Sequence, residues 1–90
     1  MAKKKVDLSD PVQREAYWIE EASKQLLGRK IVKVRYMHQT EMDELGWDSR
    51  PVVFQLDDGN VIFPSQDDEG NGPGALFTNN DKCPTLPVLY

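Results

Sequence analysis

The sequence predicts an α+β fold, in which one N-terminal helix packs on a small curled antiparallel sheet arranged as an SH3-like barrel. Three patterns indicate this fold class. Residues 11–27 carry apolar side chains at helical spacing, residues 30–37 alternate as a strand does, and an Asp-Gly pair separates two later apolar runs. A helix that lies on a simple β-meander fits the same elements almost as well.

The chain of 90 residues is long enough for one domain. We expect residues 1–90 to form that domain, with 1–9 as a flexible arm and 30–90 as its β-rich part. No segment approaches the ~20 consecutive apolar residues of a membrane span, and the N-terminus lacks the apolar segment of a secretory signal. The single cysteine, Cys83, excludes an internal disulfide. These features favour a cytoplasmic protein.

The helix over residues 11–27 has a start signal, an apolar stripe and a stop signal. Asp10 is a residue type that caps free N–H groups, and Pro11 is tolerated at the first helical position. Gly28 follows the last apolar residue and suits a left-handed C-terminal cap. The stripe, which we expect to face the core, consists of Val12, Ala16, Ile19, Leu26 and Leu27.

The strand over residues 30–37 has two unlike faces. Val32, Val34 and Tyr36 alternate with two basic residues, Lys33 and Arg35. This alternation is typical of a half-buried strand. We therefore expect the three apolar side chains to face the core.

A β-hairpin is predicted around Asp58-Gly59, because an Asp-Gly pair between apolar runs favours a tight turn. The strands of this hairpin are expected at Arg50–Leu56 and Val61–Pro64. Two further short strands are expected at Ala75–Phe77 and Leu86–Leu89.

The net charge of −4 is divided unevenly along the chain. Residues 1–36 carry nine Lys or Arg against five Asp or Glu, and residues 37–90 carry two against ten, which gives net charges of +4 and −8. Such asymmetry favours an acidic surface for a basic partner, or a basic surface for an acidic one. The alternative is that opposite charges meet within one fold and only keep it soluble.

An acidic surface centred on Trp47 is the predicted binding site. Glu44 and Asp48 flank this tryptophan, and tryptophan is a frequent anchor of protein interfaces. The loop 65–74 adds three consecutive carboxylates, Asp67, Asp68 and Glu69. We expect Trp47 to act as an apolar anchor and the carboxylates to attract another protein; an edge strand could instead pair with a second copy of the chain. In the alternative, Trp47 belongs to the core.

Two other ligands fit parts of the sequence. The loop 65–74 offers carboxylate oxygens to a cation such as Ca²⁺ or to a small molecule, although it lacks the closing Glu of an EF-hand. A basic strand face offers contacts to nucleic acid, against the repulsion of the acidic half. The cations of this face are Arg29, Lys30, Lys33 and Arg35.

No set of residues converges on catalysis, so we expect a non-enzymatic protein with no cofactor, metal or catalytic residue. His38 is the single histidine, which leaves no second one for a relay or a metal site. The serines lack a nucleophile-elbow setting, and Cys83 is expected to be a plain free thiol. The carboxylates around Trp47 are numerous enough to form a general acid–base pair. A chain this short, however, leaves little room for a substrate cleft.

One stretch of the chain resembles a group of small uncharacterised bacterial proteins. The shared pattern is a tryptophan, a strand, an Asp-Asp-Gly turn, a second strand and an acidic glycine-rich loop. It runs from Glu44-Leu45-Gly46-Trp47 through Leu56-Asp57-Asp58-Gly59 to Ile62–Asn71, about half the chain. The layout is also similar to SH3-like barrels. The resemblance implies a bacterial protein of this fold and carries no functional residue over.

Overall fold

The computed structural model describes residues 7–90, and these residues form two helices and two small antiparallel sheets. The α+β fold class is therefore confirmed. In chain order the elements are α1 (Pro11–Leu26), β1 (Ile31–Tyr36), α2 (Gln39–Leu45), β2 (Val52–Leu56), β3 (Val61–Ile62), β4 (Leu76–Phe77) and β5 (Thr85–Leu86).

Helix α1 begins and ends where its sequence signals lie. The side chain of Asp10 accepts a hydrogen bond from the backbone N–H of Val12 at 3.0 Å, and Pro11 occupies the first turn, where no N–H is needed. The last intrahelical bond runs from the N–H of Leu27 to the carbonyl of Ser23, and Gly28 follows with a φ of 75°. The helix predicted over residues 11–27 is confirmed to within one residue.

The larger sheet is a meander of β1, β2 and β3 with antiparallel pairing throughout. Its register places Val34 opposite Phe54, and Phe54 opposite Ile62. The predicted hairpin is confirmed: the N–H of Leu56 donates to the carbonyl of Asn60 at 2.9 Å, and Gly59 has the positive φ, 89°, that the turn requires.

The smaller sheet pairs β4 with β5, and two isolated bridges join Arg50 to Leu89 and Ser65 to Pro73. Across residues 7–90 the two sheets do not close into a barrel, so the SH3-like barrel prediction is not confirmed. Three of the five strands are only two residues long, and Pro64 soon after β3 has no N–H to continue a ladder. Such short strands cannot supply the continuous pairing that a closed barrel needs.

Helix α2 lies within the connection 37–49, for which the sequence pattern predicts neither a helix nor a strand. Its N-cap is His38, whose backbone N–H donates to the side chain of Glu41 at 2.8 Å. Its C-cap is Gly46, in the left-handed conformation with a φ of 72°. The helix turns one apolar side chain, Met42, into the core.

The core cluster consists of Met37, Met42, Trp47 and Val53. Val53 pairs with Arg35 across the β1–β2 ladder, and paired residues share a face of the sheet. The core cluster therefore lies on the Arg35 face of the sheet, and Val52 and Leu56, which are 3% and 4% exposed, are buried on the opposite face. The expectation that Val32 and Val34 face the core is wrong, since both are exposed and Val34 keeps 59% of its surface accessible.

Helix α1 has no buried residue, so the expected packing of the helix on the sheet is not seen. Trp18 is 58% exposed, and Val12, Ile19 and Leu26 of the predicted core stripe are exposed as well. The radius of gyration is 16.0 Å, against about 12 Å for a compact domain of this length, and the longest dimension is 48 Å. The helix extends the molecule and leaves Val34, at the edge of the sheet, exposed.

The expected N-terminal arm is only partly described, because residues 1–6 lie outside the described part of the chain. Residues 7–9 form a turn before α1. The N–H of Asp7 donates to the side chain of Gln13 at 2.9 Å, and the carboxylate of Asp7 accepts from the N–H and hydroxyl of Ser9. These bonds tie residues 7–9 to the start of the helix.

We predict that Val53→Ala lowers the free energy of unfolding by about 2 kcal/mol, because Val53 is 1% exposed and its loss opens a void in the core. The matched control is Val61→Ala on the neighbouring β3, where the side chain is 44% exposed, with an expected loss below about 1 kcal/mol. Urea unfolding measures both. Equal losses would contradict this position of the core.

Candidate functional site

The predicted site residues lie in two segments that the fold brings together. We define the acidic surface as the five exposed carboxylates Glu44, Asp48, Asp67, Asp68 and Glu69. Glu44 and Asp48 lie at the end of α2 and just after it, and the other three lie in the loop 65–74. Trp47 connects the two segments.

Trp47 is a core residue with one polar contact. Its side chain is 6% exposed and belongs to the cluster around Met42 and Val53. The indole Nε1–H donates to the carbonyl oxygen of Gly70 at 2.7 Å, and the ring meets Phe63 edge-on with centroids 5.9 Å apart. Trp47 therefore does not present its ring as an exposed anchor. Its position is that of the alternative interpretation, in which it belongs to the core.

The loop 65–74 is closed by its own backbone. The N–H of Gln66 donates to the carbonyl of Gly72 at 2.9 Å, and the N–H of Gly74 donates to the carbonyl of Pro64 at 3.0 Å. A Cβ added at Gly74 would lie 2.9 Å from the backbone oxygen of Ser65, so this close approach requires glycine. The loop is thus a defined structure with Trp47 attached at Gly70.

Asp67 organises the tip of this loop. Its carboxylate accepts hydrogen bonds from the backbone N–H groups of Glu69 and Asn71, at 3.0 and 3.1 Å, and from the side-chain amide of Asn71 at 2.8 Å. The amide of Asn71 is the largest cause that lowers the pKa of Asp67 below its usual value, and the backbone donors act in the same direction. Both oxygens of Asp67 are thus occupied, which makes Asp67 a structural member of the surface.

The cation alternative finds no convergent ligand set. Asp67 uses its oxygens within the loop, and Asn71 also donates to the carboxylate of Glu69 at 3.3 Å. Over residues 7–90, no three or more His, Cys, Asp or Glu side chains are grouped so that they could hold a metal ion. The loop contains acidic residues, but their geometry is that of a hydrogen-bonded turn.

The basic strand face is partly neutralised by the fold. Arg29 contacts Asp57 and Asp58 of the hairpin turn, at 3.8 and 3.4 Å. Arg35 forms a bidentate pair with Glu41 of α2, with N–O distances of 2.7 and 3.0 Å. Two of the four cations proposed for nucleic acid are therefore engaged with carboxylates of the same chain.

Among residues 7–90, none of the five carboxylates of the acidic surface forms an ion pair. The cations that do pair, Lys24, Arg29, Arg35 and, when it is protonated, His38, contact other acidic residues. The carboxylates of the acidic surface are thus not matched by cations of the described part of the chain.

Two contributors to the site were missed at the level of sequence. The carbonyl of Gly70 has no side-chain signal, because any residue can supply a backbone acceptor. Asn71 could have been found, since an Asp followed four residues later by Asn within a glycine-rich loop favours side-chain to backbone bonds. His38 is exposed and serves as the N-cap of α2, and Cys83 is an exposed free thiol.

Comparisons with models of protein families, with curated proteins and with solved structures found no match to this chain. In the described part of the chain, neither helix combines the length and the apolar character that crossing a membrane requires.

We predict that Trp47→Phe lowers the free energy of unfolding by about 2 kcal/mol, because it leaves the Gly70 carbonyl without its donor and a small void in the core. Phe77→Leu is the control, since Phe77 is 81% exposed on β4, and its effect should stay below about 0.5 kcal/mol. Hydrogen exchange should quicken at the amides of Gln66 and Gly74 in Trp47→Phe. Unchanged exchange there would show that Trp47 does not hold the loop.

We predict that the pair between Arg35 and Glu41 makes stability depend on pH. The guanidinium of Arg35 is the largest cause that lowers the pKa of Glu41 from 4.5 to about 2, and the backbone N–H of His38 is the next largest. The stabilisation is therefore complete above pH 4.5 and is lost as the pH falls toward 2. Because Glu41 is 36% exposed and solvent screens the pair, the contribution should be about 1 kcal/mol.

Urea unfolding over that pH range tests this expectation in Glu41→Gln. The variant should lose stability at neutral pH and show a smaller further loss on acidification than the wild type. Glu44→Gln, in the same helix and without an ion pair among the described residues, should follow the wild-type profile. An unchanged profile in Glu41→Gln would contradict the assignment.

Proposed function

We propose that this protein is a small non-catalytic binding module, and that its acidic surface receives a basic segment of another protein. The observation that supports the proposal is the charge separation. Arg35 of β1 and Arg29 of the connection before it pair with Glu41, Asp57 and Asp58, while the acidic surface has no ion-pair partner among residues 7–90.

The acidic surface would act mainly through long-range attraction. Residues 37–90 carry a net charge of −8, and a concentrated field of one sign raises the rate of encounter with an oppositely charged partner. At physiological salt this attraction extends about 8 Å, so binding should weaken strongly as salt is added. Lysine and arginine side chains of the partner would satisfy the carboxylates.

The role of Trp47 in this proposal is to position the surface. Its bond to Gly70 fixes the loop 65–74 beside the end of α2, and the bonds of Asp67 fix the loop tip. A surface that is already ordered loses less conformational entropy on binding than a mobile one. Glu44, Asp48, Asp68 and Glu69 are then the residues that contact the partner, and Asp67 and Trp47 support them.

We place this activity in the cytoplasm, where the exposed thiol of Cys83 would stay reduced, and the resemblance to small bacterial proteins supports a bacterial setting. Neither the cation nor the nucleic-acid alternative has a specific observation in its favour.

The test is affinity capture from a cell lysate, with bound proteins and nucleic acids both identified. The test variant is the triple Glu44→Gln, Asp48→Asn, Asp68→Asn, which leaves Asp67 in place. The control is the triple Glu15→Gln, Glu20→Gln, Asp81→Asn, which changes the net charge equally at exposed sites elsewhere. Captures are made at about 50 mM and about 300 mM salt.

We expect a protein that the wild type and the control triple retain at low salt, that high salt releases, and that the test triple binds at least about tenfold less. Retention by the test triple equal to that by the control would contradict the proposal. Recovery of nucleic acid alone would contradict it too.

A further inference from the structure

The outer side of β1 is an unpaired sheet edge. The strand order β1-β2-β3 puts β1 at the edge of the larger sheet, and within residues 7–90 it pairs with β2 alone. The register shifts between Ile31 and Lys33, which leaves Val32 without a partner on β2, and the regular part of the edge begins at Lys33. We define the open edge as the side of residues 33–36 that faces away from β2.

The alternation of hydrogen bonds shows which backbone groups the open edge presents. In an antiparallel pair, every second residue bonds to the partner strand, and the residues between them direct their backbone groups away from it. The N–H of Met37 donates to the carbonyl of Pro51 at 3.0 Å, so Arg35, two residues earlier, bonds to β2 as well. The backbone N–H and carbonyl groups of Val34 and Tyr36 therefore point outward.

The pairing of β2 with β3 supports the same assignment. The N–H of Leu56 donates to the carbonyl of Asn60 at 2.9 Å, and two residues earlier Phe54 pairs with Ile62. Phe54 therefore directs its backbone groups to β3. Its neighbour across the β1–β2 ladder, Val34, is left without a backbone bond to β2.

Three backbone groups of the open edge remain available to a partner strand. The guanidinium of Arg35 donates to the carbonyl of Tyr36 at 3.2 Å, so that carbonyl is occupied. The N–H and carbonyl of Val34 and the N–H of Tyr36 have no hydrogen-bond partner within residues 7–90. Val34 is 59% exposed, which leaves room for another chain beside it. An extended segment that lies along β1 would bond to all three groups, as in strand addition.

The side chains of the open edge indicate which segment fits. Lys33 has no ion pair within residues 7–90, whereas Arg35, on the same face of β1, is matched by Glu41. A carboxylate opposite Lys33 would complete a cross-strand ion pair, which stabilises a sheet. Val34 faces the other way and offers an apolar contact. Because side chains of a strand alternate between its two faces, a segment of alternating acidic and apolar residues matches both.

We propose that the open edge binds an extended segment of a partner protein by strand addition, and that this segment alternates Asp or Glu with apolar residues. Backbone bonds to Val34 and Tyr36 give the affinity. The ion pair with Lys33 and the contact with Val34 select the sequence of the segment, as side chains do in other complexes of this kind.

A second copy of this chain fits the open edge poorly. Two β1 strands that pair antiparallel through Val34 would place Lys33 of each copy opposite Arg35 of the other. Like charges that face each other across strands are destabilising, and lysine on an edge strand opposes pairing with another copy. The same charge that disfavours a second copy attracts an acidic segment, so it contributes to specificity.

The open edge and the acidic surface take segments of opposite charge. The acidic surface consists of carboxylates at the end of α2, just after it and in the loop 65–74, and an acidic segment would be repelled there. The triple variant Glu44→Gln, Asp48→Asn, Asp68→Asn should therefore bind an acidic segment at least as well as the wild type does. Failure of the proposed function would leave this inference standing, and the reverse also holds.

NMR titration of the ¹⁵N-labelled protein with a synthetic peptide tests the proposal. The probe is a short capped peptide that alternates Glu with Val. The peptide residue opposite Val34 shares its face of the sheet and is a valine, so valine N–H groups point at the open edge. The control peptide carries N-methyl groups on its valines, which keeps the side chains and removes these donors. The probe should shift the amide signals of Val34 and Tyr36 and slow their hydrogen exchange, and the control should bind at least about tenfold more weakly.

Protein variants separate the contribution of charge from that of the backbone. Lys33→Glu should weaken binding of the probe at least about tenfold. Lys82→Glu is the matched control, because it makes the same change of charge at an exposed site between β4 and β5, and it should bind as the wild type does. Val34→Pro removes the outward N–H and should also weaken binding at least about tenfold, since proline is tolerated on the outer side of an edge strand. Circular dichroism checks that each variant is folded.

Four results would overturn the proposal. One is no binding of the probe at about 1 mM. Another is equal binding of the probe and its N-methylated control, or of the probe to Lys33→Glu and Lys82→Glu. A third is binding that leaves the amides of Val34 and Tyr36 unchanged. The last is a dimer in sedimentation equilibrium that Val34→Pro dissociates, because a second copy would then occupy the open edge.

Discussion

The hydrogen bond from the indole of Trp47 to the carbonyl of Gly70 is the contact on which the candidate site depends. A buried indole N–H without an acceptor costs about 1–3 kcal/mol, so the core tryptophan and the surface loop stabilise each other. This bond connects the core cluster, which includes Met42 and Val53, to the loop 65–74 and fixes the position of that loop. Without it, the carboxylates of the loop would sit on a segment that is joined to the core mainly through its own ends.

Residues 1–36 carry a net positive charge and residues 37–90 a net negative charge, so the two parts of the chain would attract different partners. Arg29 and Arg35 are matched by carboxylates that hold the hairpin turn and α2 in place. Two cations of the basic half thus hold parts of the fold together, and the five carboxylates of the acidic surface have no ion-pair partner among residues 7–90. This division explains why a chain with many lysines and arginines near its start is proposed to bind a basic partner.

The larger sheet has buried apolar residues on both sides, with Val53 on one and Val52 and Leu56 on the other. α2 and Trp47 cover the side of Val53, and the C-terminal segment reaches the other side at Tyr36, whose hydroxyl donates to the carbonyl of Pro87 at 2.9 Å. At the edge of that side Val34 stays 59% exposed, because α1 does not cover it. A short chain buries a smaller fraction of its surface than a long one does.

The sequence by itself determined α1 and the β2–β3 hairpin, because Asp10, Pro11 and the Asp58-Gly59 turn act on the neighbouring backbone alone. It also showed where the acidic residues lie along the chain, and it predicted that β1 has one apolar and one basic face. Only the tertiary structure decided which face of β1 became the core, since alternation defines two faces without saying which one α2 will cover. The tertiary structure also decided that Trp47 is buried and that Gln39–Leu45 forms α2. A helix of seven residues is too short to show a clear apolar stripe, and it depends on the packing of Met42 and on the pair between Arg35 and Glu41.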